Sequence, residues 1–60
     1  MYNLITYCDN VRYYLLYADI EGNTEVSRDA WTSLIGTYDE MDCFRKEYHL
    51  GGFILHPAGE

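Results

Sequence analysis

The sequence predicts an α+β fold, ordered β-β-α-α-β, with a three-stranded antiparallel sheet and one kinked or two short helices packed on one face. Three observations carry this. The longest apolar run, VRYYLLYADI from Val11 to Ile20, has two apolar faces. A stripe at helical spacing runs through Trp31, Leu34, Ile35, Tyr38, Met41, Phe44 and Tyr48. Short β-branched and aromatic runs lie at either end of the chain, YNLITY and FILH.

Taken in order, Tyr2 to Tyr7 reads as a strand, since β-branched and aromatic side chains fit a pleated, half-buried surface. Cys8-Asp9-Asn10 follows, and Asp and Asn close tight turns through side-chain hydrogen bonds to the backbone. Val11 to Ile20 is then the second arm of a hairpin. Val11, Tyr13, Leu15 and Tyr17 line one face, and Arg12, Tyr14, Leu16, Ala18 and Ile20 the other. A helix capped by Asp9 competes for this run, because Val11, Tyr14, Leu15 and Ala18 also fall at helical spacing. The tyrosine crowding and the first strand's need for a partner favour the strand.

Glu21 to Val26 reads as a polar loop, and Ser27 as the N-cap of a first helix with Asp29 in its first turn. Gly36 interrupts the apolar stripe at a cost of about 1 kcal/mol relative to alanine. The T-x-x-E pattern of Thr37 to Glu40 directly after it is a capping box. A second helix is therefore expected from Thr37 or Tyr38 to about Tyr48. Gly51-Gly52 supplies a glycine for the left-handed cap, Phe53 to His56 forms the third strand, and Pro57 stops it.

Sixty residues make a single small domain, 1–60, near the lower limit for folding alone, burying about 60% of the unfolded surface. The apolar content of 48% and aromatic content of 17% indicate a packed core. Cys8 and Cys43 are too few for a disulfide scaffold, no secretory leader is expected, and no stretch approaches the roughly 20 apolar residues of a membrane span. A reducing cytoplasm and free thiols are expected.

Catalytic and metal chemistry find little footing. Cys8, Cys43, His49 and His56 are separated by 34, 5 and 6 residues, whereas zinc sites pair ligands two to four residues apart. Cys43 and His49 would sit on different azimuths of a helix, too far apart for a nucleophile and its base. Ser27 and Ser33 lack a glycine-flanked elbow. Gly51-Gly52 precedes a strand and forms no phosphate loop. Neither an enzyme nor a cofactor is expected.

Charge is the more informative signal. Residues 1 to 42 hold eight acids (Asp9, Asp19, Glu21, Glu25, Asp29, Asp39, Glu40, Asp42) against Arg12 and Arg28, a balance of −6. Residues 43 to 60 are neutral, with Arg45 and Lys46 against Glu47 and Glu60. Such a chain repels nucleic acid directly and is drawn to basic surfaces. A charge of this size is also ordinary for solubility alone. Only Asp42 has an obvious local partner, Lys46 one turn on. The expected partner-binding surface is Asp19, Glu21, Glu25, Asp29, Asp39 and Glu40, with Tyr13 and Tyr17 as aromatic anchors.

Small size, uncompensated acids and the tyrosine-rich segment YYLLYADIEG together resemble the small, acidic, phage-encoded anti-CRISPR proteins. The likeness is one of the whole chain and involves no signature motif. It implies a monomer or weak dimer that binds a larger, basic, nucleic-acid-binding host protein, a defence nuclease or CRISPR complex, and blocks nucleic-acid access. The alternative is a small antitoxin or adaptor that adds its tyrosine-rich strand to a partner's sheet.

Overall fold

The computed structural model describes residues 1–29 and 34–58. It shows an α+β arrangement of one antiparallel sheet and one short helix. The elements are β1 (Tyr2–Cys8), β2 (Val11–Ala18), β3 (Thr24–Ser27), α1 (Tyr38–Glu47) and β4 (Ile54–Pro57). The strand order is β3-β2-β1-β4, with every neighbouring pair antiparallel.

The first hairpin forms as its residues dictate. Cys8 pairs with Val11, and both residues of the intervening turn have positive φ, Asp9 at 53° and Asn10 at 66°. That is the conformation whose twist matches a two-residue hairpin, and Asp and Asn tolerate it better than most residues. Val11–Ala18 is a strand, so the helical reading of this run is excluded. The strand ends before Asp19 and Ile20.

The sheet has four strands where three were expected, because Thr24–Ser27 continues the antiparallel meander in place of a polar loop. Pairs run Tyr14↔Ser27 and Leu15↔Val26, then Tyr17↔Glu25 and Ala18↔Thr24. The shift between Leu15 and Tyr17 is a bulge that leaves one residue of β2 over. Its consequence is visible in the packing: Ala18 joins Leu15 in contact with the core. An edge strand needs no apolar face, which is why TEVS gave so little strand signal.

Ser27 does not begin a helix. It is the last residue of β3, and its Oγ accepts a hydrogen bond from the Asp29 backbone N–H at 3.1 Å. Leu34, Ile35 and Gly36 are likewise non-helical, so among the described residues α1 is the one helix where one kinked or two short helices were expected. Trp31 and the rest of 30–33 lie outside the described residues. The stripe misled because Leu34 packs against the core from non-helical chain.

The chain enters α1 through Gly36, which bridges Tyr2 by hydrogen bonds in both directions, Tyr2 N–H to Gly36 O at 2.6 Å and Gly36 N–H to Tyr2 O at 3.0 Å. β1 thus pairs with β2 along Ile5–Cys8 and with Gly36 at Tyr2. The capping box forms as expected: Thr37 Oγ1 accepts from Glu40 N–H at 3.2 Å, and Glu40 Oε1 accepts from Thr37 N–H at 2.9 Å. The far end of α1 is closed differently from expectation. His49, not a glycine, takes the left-handed position at φ 57°. Leu50 N–H reaches Arg45 O at 2.8 Å and His49 N–H reaches Lys46 O at 3.3 Å, the paired bonds of a Schellman cap. Leu50 follows into the core, and the cap exists to place it there. β4 then runs Ile54–Pro57, one residue later than expected, with Pro57 inside the strand at the sheet edge.

The core lies between the sheet and α1. Leu4, Leu15, Met41 and Leu50 are its buried members, ringed by Tyr2, Ala18, Leu34, Phe44, Tyr48, Phe53 and Leu55. Leu4 pairs directly with Leu55 across β4. Alternation along β1 puts Asn3, Ile5 and Tyr7 on the opposite face, where Asn3 and Ile5 are also buried.

Candidate functional site

The β2–β3 hairpin gathers part of the acidic surface expected from sequence. Its connection is organised by Asp19. Asp19 Oδ1 accepts from the backbone N–H groups of Glu21 at 3.0 Å and Asn23 at 2.9 Å. Oδ2 accepts from Asn23 Nδ2 at 3.1 Å and from the Tyr17 hydroxyl at 3.2 Å. Backbone bonds Asp19 N–H to Asn23 O and Gly22 N–H to Asp19 O complete the turn. Gly22, at φ 94°, occupies a conformation that side-chain-bearing residues avoid.

These bonds set the local electrostatics. The Asn23 backbone N–H, then its side-chain amide, stabilise the Asp19 carboxylate and hold its pKa below the ordinary 3.8. The same negative charge, together with the hydrogen bond, pushes the Tyr17 hydroxyl above its ordinary 10.0, so it stays a proton donor. Asp19 is therefore engaged inside the hairpin and has little left for a partner.

Other residues of the expected surface divide in the same way. Glu40 is exposed but spent on the capping box. Glu21, Glu25, Asp29 and Asp39 are exposed. Glu25 lies opposite Tyr17 in the ladder, and Glu21 follows in the Asp19 turn, so Tyr17, Asp19, Glu21 and Glu25 belong to one end of the hairpin. Asp29 lies just past the end of β3, and Asp39 in the first turn of α1, where it complements the helix dipole. Tyr17 is 49% exposed. Tyr13 is half-buried opposite Thr6, on the side of the sheet that carries Leu4.

Two arrangements escaped the sequence. Asp42 pairs with Lys46 at 3.0 Å, as expected, and also with Arg45 at 3.2 Å. Hydrogen bonds from Lys46 and then Arg45 lower the Asp42 pKa below 3.8. Among the described residues these are the ion pairs formed, which leaves Glu21, Glu25, Asp29 and Asp39 without a cationic partner there. Second, Ile20 stands outside the sheet at 80% exposure, beside Glu21 at the tip of the braced turn. Placing it on a strand face hid this; the Asp-x-x-Gly spacing of Asp19 and Gly22 was the available signal for an earlier turn.

On the face opposite α1, Arg12 lies across from Tyr7 and 5.9 Å from its ring centroid. Hydrogen bonding with Tyr14, then Tyr7, holds the Arg12 proton more tightly than usual. The base nearest the first hairpin is thus engaged with aromatic neighbours, away from the acidic end.

Comparison with protein families, with curated proteins and with solved structures finds no match to this chain. No helix among the described residues is long and apolar enough to cross a membrane.

Proposed function

We propose that this chain is a non-catalytic inhibitor that docks on a basic, nucleic-acid-binding surface of a larger protein and blocks access of nucleic acid to it. The partner class is a nuclease or CRISPR complex of a bacterial defence system, met in the host cytoplasm. The observation that carries this reading is the pair Glu21 and Glu25 at the turn end of one hairpin, both exposed and without an ion pair among the described residues, with the solvent-facing ring of Tyr17 opposite Glu25 and the exposed Asp29 past the other end of β3. Carboxylates in that state steer and orient toward Lys and Arg at little desolvation cost, and tyrosine supplies contact area. Asp39 extends the negative field at the start of α1.

Strand addition through the tyrosine-rich run is the weaker alternative. β2 is internal, with β1 on one side and β3 on the other. Both edges of the sheet are blunted, β3 by Glu25 and its bulged pairing and β4 by Pro57, devices that discourage a further strand.

The test is affinity capture from a bacterial host extract on the immobilised chain, identification of the bound protein, and competition with duplex DNA. The expected result is a nucleic-acid-binding protein that DNA displaces and that leaves as salt rises. A captured protein that binds equally well with DNA already in place contradicts the proposal.

A further inference from the structure

Resting on that reading, we infer that the tip of the β2–β3 hairpin is the docking element and that Ile20 is its anchor, seated in an apolar pocket within the partner's basic surface. Ile20 is the most exposed of the large apolar residues described, at 80%. An isolated exposed isoleucine is ordinary on a protein surface; its setting is what distinguishes this one.

The turn that presents it is fixed by four hydrogen bonds to the Asp19 carboxylate. A segment already held in one conformation loses little entropy on binding, so burial of its apolar side chain is retained as affinity. Glu21 is next in sequence, and Glu25 lies opposite Tyr17 a short way down the ladder; both are exposed and unpaired among the described residues. An apolar centre bordered by charge is the usual anatomy of an interface hot spot. The sign of that border selects a cationic rim on the partner. α1 packs against β1 and β4, and Tyr17 stays 49% exposed at this end of the sheet.

This makes the surface more than an imitation of phosphate spacing. Binding by charge alone would disappear in salt, whereas a buried isoleucine contributes a share that salt does not remove. The two contributions separate in one substitution. Ile20→Asp adds a negative charge, so a purely electrostatic complex with a basic surface would tighten. If Ile20 is the anchor, the same substitution weakens it.

The probe is the purified protein identified by capture on the wild-type chain, titrated at low and high salt with wild type, Ile20→Asp, Ile20→Leu and Tyr7→Ala. Tyr7 is exposed at the far end of β1 and serves as the control. Ile20 and Tyr7 are both exposed and outside the core cluster, so all of these variants retain the core. We expect Ile20→Asp to weaken binding by at least about tenfold at both salt concentrations, with Ile20→Leu and Tyr7→Ala near wild type. Binding of Ile20→Asp equal to or tighter than wild type overturns the anchor and leaves the acidic docking reading standing. A wild-type chain that captures no nucleic-acid-binding protein overturns both.

Discussion

Asp19 and Asp42 show how one residue type serves different ends in a chain this acidic. Asp19 ties a turn together by accepting from Glu21, Asn23 and Tyr17, and Asp42 anchors Arg45 and Lys46 on the helix. Both carboxylates have folded pKa values below the ordinary 3.8. A depressed folded pKa means the unfolded chain binds protons first as pH falls. The stability these groups contribute is therefore fully present above the ordinary carboxylate range and is lost as pH drops through the folded values. Both groups meet solvent, so the effect is modest. We expect a melting temperature that is level near neutral pH and falls below about pH 4, with a shallower fall in Asp19→Ala from a lower starting point. Parallel curves for the two proteins would contradict this role for Asp19. Reversing the charge of Asp19 would damage the turn, so that substitution cannot report on a partner.

At the scale of elements, the entry into α1 is fixed at both Gly36 and Thr37. Gly36 bridges Tyr2 and precedes the capping box, and a Cβ there would lie 2.9 Å from Glu40 Oε1 and 3.3 Å from Met41 Sδ. Glu40 Oε1 could move aside only by releasing Thr37 N–H. Gly36→Ala and Thr37→Ala should therefore each destabilise the domain, by about 1 kcal/mol through loss of the cap. Chemical denaturation measures both, and the double variant should cost less than the sum, because the two changes break the same box. Strict additivity would show that Gly36 acts through something else. Elements with strong local chemistry were legible in the sequence: the Asp9-Asn10 turn, the Thr37–Glu40 box, and the apolar body of β2. Elements fixed by tertiary contact were not. β3 is held by pairing with β2 and has a polar composition of its own. Leu34 keeps helical spacing yet packs against the core from a bend, because a residue need only reach the core to be partly buried. His49 displaced the expected glycine as the cap because Leu50, one residue on, had to enter the core.

For the whole molecule, the acids of residues 1–42 divide by what each of them holds. Part of the acidity is absorbed by turn, cap and ion pair, and the remainder is concentrated around the β2–β3 hairpin and the start of α1. Of the surface expected from sequence, Glu21, Glu25 and Tyr17 come together there. Asp19 and Glu40 are spent on hydrogen bonds within the turn and the cap, and Tyr13 is half-buried. Sequence could count the acids but not see which were already spoken for, since hydrogen bonds to backbone N–H groups depend on where the turns fall. Ile20 was hidden for the same reason. The most direct test of the account is the affinity of Glu21→Lys/Glu25→Lys for the captured partner, measured across a salt titration with the wild type. At least about a tenfold loss at low salt is expected, with a shallower dependence on salt and the fold intact. Unchanged affinity and an unchanged salt slope would contradict it.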